Sequence, residues 1–146
     1  MMSARYGAAV LAYVVPSFVL GLAWHLFLFD TYYQRLEIYR PDIIVPFGLV
    51  SMLIQASVFA WLFDKAFARR PGTWLSRGLT YAAVGGVLSW SFTTLAVAAK
   101  NVMTSVPDYL LVETAFTIAQ WVIVGPLTAL AFARIGDAAR TEAATT

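Results

Sequence analysis

Four stretches of the chain, residues 6–29, 43–63, 78–99 and 109–133, are almost continuously apolar, and the charged residues gather in the short segments between them. A hydrocarbon core of about 30 Å takes about 20 helical residues at about 1.5 Å each. Each stretch meets that length, so the pattern predicts four transmembrane helices. The few polar residues inside the stretches recur at helical intervals. Ser17, Gly21 and His25 are spaced by four on the first stretch, as are Ser51 and Gln55 on the second. Gly86, Ser89, Thr93 and Lys100 form one stripe on the third, and Glu113, Thr117 and Gln120 form one on the fourth. Residues so spaced share a helix face, and small or hydroxyl residues there let membrane helices approach and bond across the interface. The expected fold is therefore all-α, a four-transmembrane-helix bundle with its polar seam turned inward.

The two halves of the chain echo each other at an offset of 66 residues: Trp24 matches Trp90, and Pro41-Asp42 matches Pro107-Asp108. Gln55 and Gln120 fall one residue out of step. Two duplicated helical hairpins in parallel repeat would produce this echo. The ordinary recurrence of interfacial tryptophan and of proline near helix starts accounts for it equally well. Ser105 reads as an N-cap for the fourth helix, with Pro107 in its first turn, and Arg40-Pro41-Asp42 reads as the entrance to the second. Pro16 and Pro126 lie deep in the first and fourth helices, where each removes a backbone hydrogen bond and predicts a kink.

Composition narrows the class. Hydrophobic residues make up 60% and charged residues 12%, with a mean hydropathy of +0.72, against about 25% charge in a soluble domain. Four crossings account for most of residues 1–146, so one membrane domain is expected, with residues 134–146 as a polar, frayed tail. The net charge of +2 is small and dispersed, which excludes a nucleic-acid surface. With no cysteine there is no disulfide, thiolate metal site or thiol chemistry. The first apolar stretch runs past Pro16 to Phe29 without a small-x-small cleavage pattern, so it reads as a retained helix instead of a secretion signal.

Basic residues orient the bundle. Arg5, Lys65, Arg69, Arg70, Arg77, Arg134 and Arg140 fall on one side, and Arg35, Arg40 and Lys100 on the other. The positive-inside rule then places both termini and the 64–77 loop in the cytoplasm of a bacterial cell, with the protein in its inner (plasma) membrane. Segments 30–42 and 100–108 face outward. In the first of these, Tyr32, Tyr33, Leu36, Ile38 and Tyr39 alternate with Gln34, Arg35, Glu37 and Arg40. That suits either an interfacial segment over the outer mouth of the bundle or an aromatic belt.

Glu113 is the sharpest candidate for chemistry. It lies six positions past Pro107, about 9 Å below the helix start at about 1.5 Å per residue. An ionised carboxylate in lipid costs several kcal/mol, so it must face inward, pair with a cation or hold a proton. His25 and Lys100 are the expected partners, and Gln55, Gln120, Thr117 and Ser51 complete the candidate solute- or ion-binding set. No metal or other cofactor is expected, because a single histidine with amides and hydroxyls is a poor ligand set. No phosphate loop, paired-histidine spacing or plausible catalytic triad is present, so no catalytic residue is assigned and the chain is not expected to be an enzyme.

The stretch LAWHLFLFDTYYQRLEIYRPDIIVPFGLVSMLIQASVFAWLF, with the later AAKNVMTSVPDYLLVETAF, resembles small four-helix bacterial membrane proteins of unknown function. The likeness implies fold and location only. Two functions then compete. The first is a small ion-coupled solute carrier in the bilayer, as a homodimer, in which Glu113 titrates and His25, Gln55 and Gln120 line a polar path. The second is a non-catalytic accessory or assembly subunit of a larger membrane complex, in which the seam is packing and the tryptophans are contacts. A lipid-acting enzyme trails both. A cavity reaching Glu113 would favour the carrier, and a dry seam the accessory subunit.

Overall fold

The computed structural model describes the backbone of residues 4–145 and the side chains of residues 4–135. All the regular structure is helical among the described residues. Helix α1 (Ala4–Ala23) continues into a π-helical turn, Trp24–Leu28, and is followed by the short α2 (Asp30–Leu36). Then come α3 (Val45–Ala66) and α4 (Trp74–Trp90), the latter running through a second π turn, Ser91–Leu95, into α5 (Ala96–Ala98). Helix α6 (Val106–Thr145) closes the chain. Four segments, Ala4–Leu28, Val45–Ala66, Trp74–Ala98 and Val106–Ile135, are long and apolar enough to cross a membrane.

The helix starts follow local chemistry. Ser105 Oγ accepts from the Asp108 backbone N–H at 3.4 Å, which makes it the N-cap foreseen for the last helix. Thr73 caps α4 in the same way, accepting from Ser76 N–H at 3.2 Å. The expected entrance at Arg40-Pro41-Asp42 lies instead in an irregular segment, and α3 begins at Val45. Pro46 sets that start, since a proline in the first turn loses no helical hydrogen bond. Helices α1 and α6 run unbroken through Pro16 and Pro126. The last helix reaches Thr145, past the boundary expected at 133, in keeping with a terminal sequence rich in alanine.

Packing is uneven. Helix α6 is central and lies against both α4 and α1, while α3 leans chiefly on α1. The α4–α6 interface is the tightest. A Cβ on Gly125 would sit 2.6 Å from the Gly78 carbonyl oxygen, and one on Gly85 would meet the Trp121 ring at 2.2 Å. Small residues here let the backbones approach closely, as bilayer helices require when no hydrophobic force drives them together. Trp121 then caps the groove, donating from Nε1 to Ser89 Oγ at 2.7 Å.

At the end carrying the N-terminus and the 67–73 loop, the four long helices converge on buried aromatic side chains. Phe59, Phe63, Phe67, Tyr81 and Trp121 pack edge-to-face there, and the Tyr81 hydroxyl donates to the Phe59 carbonyl at 3.1 Å. Arg5 reaches Asp64 at 3.3 Å, linking the start of α1 to the end of α3. Toward the far end α3 parts from the others, and none of its residues between 45 and 55 is buried. The packing is thus not two-fold symmetric: α1 packs along α6, but α3 has no comparable contact with α4. A symmetric arrangement of duplicated hairpins about a shared axis does not describe it.

A Gly125→Ala variant should lose about 1–3 kcal/mol of stability, because the added methyl meets backbone that cannot yield without separating α4 from α6. Gly7→Ala, with nothing within 4 Å of the new methyl, should unfold with the wild type. Thermal or denaturant unfolding in detergent micelles measures both.

Candidate functional site

Where α3 parts from the bundle it leaves a cavity of about 470 Å³ among α1, α3, α6 and the turn after α4. Six of the seven candidate residues line it: Glu113, His25, Gln55, Gln120, Thr117 and Ser51. Lys100 does not. It is exposed at the end of α5 and forms no ion pair among the described residues, so the expected Lys100–Glu113 pairing is corrected. The physical reason is helical winding. The stripe linking Gly86 to Lys100 assumed 3.6 residues per turn, and the π turn at Ser91–Leu95 inserts wider turns between them.

Glu113 is 8% exposed and sits at the head of the cavity. Its Oε1 accepts a hydrogen bond from the Tyr33 hydroxyl at 2.6 Å and lies 3.3 Å from His25 Nε2. The other imidazole nitrogen, Nδ1, is 2.9 Å from the Gly21 carbonyl oxygen. A carbonyl only accepts, so this contact assigns a hydrogen to Nδ1. The Nε2–Oε1 contact then needs a second proton, carried either by an imidazolium or by the carboxylic acid. In both forms the pair shares one proton and has no net charge. Glu113 Oε2 has no protein partner among the described residues, and the carboxylate faces the cavity.

Tyr33 comes from α2, which lies across the far end of the bundle. Tyr33 and Leu36 are buried there against Tyr109 and Val112 of α6. The loop after α5 holds the end of α2, with Thr104 donating from its backbone N–H to the Leu36 carbonyl at 3.2 Å and from its hydroxyl to that of Arg35 at 2.7 Å. Glu37 ends α2 in a left-handed conformation, φ 56°, and its N–H returns to the Gln34 carbonyl. Burial, and next the hydrogen bond to Glu113, hold the Tyr33 phenol far above the ordinary tyrosine range, so it remains a donor. Tyr39 stacks on Tyr33 with centroids 5.2 Å apart.

Deeper in, both glutamines are tied to α1. Gln55 Oε1 accepts from the Tyr13 hydroxyl at 3.2 Å, and its Nε2 donates to Ser51 Oγ at 3.0 Å. Gln120 Nε2 donates to the fully buried Ser17 Oγ at 2.9 Å. Tyr13 precedes Ser17 by four, so the α1 seam Ser17–Gly21–His25 extends one turn further than the polar residues alone indicate. Tyr13 and Tyr33 are the site residues that polarity counting missed. Tyrosine reads as apolar or interfacial, yet the spacing of Tyr13 from Ser17, and of Tyr33 from Leu36, carried the signal.

The arrangement offers one buried carboxylate with a free oxygen, an imidazole sharing its proton, and amide and hydroxyl groups below. No three histidine or acidic side chains come together as a metal site among the described residues. The chain matches no protein-family model, no curated protein and no solved structure.

Removing the Tyr33 hydroxyl (Tyr33→Phe) should cost about 1.5–3 kcal/mol, the range for a hydrogen bond to a charged group. Tyr32→Phe, whose exposed hydroxyl makes only a 3.4 Å contact, should cost no more than about 0.5 kcal/mol. Unfolding in detergent distinguishes them.

Proposed function

We propose that this chain is a small proton-coupled carrier, in which Glu113 holds either a proton or a cationic solute. The observation that supports it is the cavity of about 470 Å³ that reaches the open side of a buried carboxylate. A net charge is costly within the bilayer. When the shared proton leaves the His25–Glu113 pair, the site carries one uncompensated negative charge, and a cation entering the cavity restores neutrality. Solute and proton therefore compete for the same place, which is the minimal chemistry of exchange. Ser51, Gln55, Thr117 and Gln120 supply neutral polar contacts along the path.

The carrier resides in a bacterial inner membrane with both termini cytoplasmic, on the strength of the basic residues at the N-terminal end. Helix α3 favours an assembly larger than one chain, since its outer half is exposed and unpartnered. A second copy packed on the face of α3 turned away from the cavity, at Phe47, Val50 and Ile54, gives a homodimer. If a different membrane protein packs there and nothing crosses, the chain is an accessory subunit of a larger complex.

Glu113→Gln should abolish proton-linked solute flux in reconstituted vesicles, while Lys100→Ala should leave it intact. Equal flux in Glu113→Gln and wild type would remove the carrier. Cysteines placed near each terminus should be labelled by impermeant thiol reagents only after the cells are opened. Labelling in intact cells would reverse the orientation.

A further inference from the structure

We infer that the solute is a hydrophobic organic cation: a single ammonium-type charge carried on an apolar body. The inference rests on the carrier reading for transport, but the ligand class follows from the cavity itself.

Three observations converge on it. The charge to be met is a single carboxylate, 8% exposed, on the cavity lining, and its Oε2 has no protein partner among the described residues. One positive charge satisfies it, and a doubly charged metal ion would find too few ligands, as no cluster of three histidine or acidic side chains exists among the described residues. Apolar side chains form much of the wall around the polar groups, Phe18, Leu22, Met52 and Phe116 among them, and Phe116 and His25 pack edge-to-face with centroids 4.6 Å apart. Aromatic faces beside a carboxylate suit a weakly hydrated organic cation better than a small ion that must keep its water. The volume of about 470 Å³ also falls in the range of pockets for small organic molecules, about 300–1,000 Å³.

The rim indicates the route of entry. Leu26, Ile43, Val45 and Leu49 line the cavity and are exposed, so its open side is bordered by apolar residues where α3 stands away from the bundle. A molecule already dissolved among the lipid tails meets no polar barrier there. The one cationic side chain on the lining, Arg40, is exposed in the segment before α3, at the far end. It opposes entry of a cation from water at that end and leaves the lipid-facing side open.

Around Glu113 stand His25 in the turn after α1, Tyr33 and Tyr39 of the covering segment, Tyr109 one turn back on α6, and Arg40 at the rim. No second carboxylate shares the lining, so the cavity offers one place for one positive charge.

The test uses the full chain in lipid nanodiscs with tetraphenylphosphonium as the cation and tetraphenylborate as an anion of matching shape. The cation should bind saturably, and the anion should not compete. Glu113→Gln should weaken binding about tenfold or more, as expected when the single opposite charge is removed from a partly desolvated site. Glu113→Asp, which keeps the charge, should recover part of it and shows that a loss in the glutamine variant is not misfolding. Absence of saturable cation binding, equal binding of the anion, or full binding by Glu113→Gln would overturn the ligand class. Saturable binding without proton-linked flux would uphold it and overturn only the carrier.

Discussion

A carboxylate inside an apolar bundle cannot be left alone, and the far half of this structure is organised around that demand. Glu113 Oε1 is met by a phenol from α2 and an imidazole from the π turn of α1. Each of those groups is in turn held, Tyr33 by the packing of α2 on Tyr109 and Val112, and His25 by the Gly21 carbonyl. Burying one charge therefore recruits three separate elements: the end of the first long helix, the short helix after it, and α6. The covering helix is an anchor for the site as well as its roof.

The two ends of the bundle solve opposite problems. At the N-terminal end, aromatic rings packed mainly edge-to-face fill the space between the four long helices, and α4 meets α6 so closely at Gly78, Gly85 and Gly125 that no additional carbon fits there. That half is a rigid base. At the far end α3 stands apart, and the volume it vacates becomes the cavity. The tight base makes the open half possible, since α3 can diverge only while Ala56, Phe59, Ala60 and Phe63 keep its lower half in place.

Much of this was legible in the residues. The four crossings, the Ser105 cap and the convergence of Glu113, His25, Gln55, Gln120, Thr117 and Ser51 follow from hydropathy and helical spacing. Those are local rules, and in a bilayer they are strong. Lys100 was misplaced because spacing arguments assume uniform winding, and a π turn intervenes. The spacing of Tyr13 and Tyr33 marks them as inward-facing, but their part in the site is not readable in the residues, because a tyrosine's role depends on what its hydroxyl reaches, which is a tertiary fact. The departure of α3 from the bundle was not readable either: Ser51 and Gln55 mark the face turned to α1, but the rest of the helix is almost uniformly apolar and does not say how closely that face packs.

The wide turn Trp24–Leu28 has a geometric corollary. A π turn takes in about one residue more than an α turn, and one helical residue corresponds to about 100° of rotation. Everything downstream is therefore swung around the helix axis relative to an evenly wound α1. The direction in which the chain leaves at Phe29, and with it the face that Tyr33 shows to the bundle, is set by that surplus residue. Shortening this segment by a single position after His25 would swing the phenol about 100° away from the carboxylate without altering any residue that touches it.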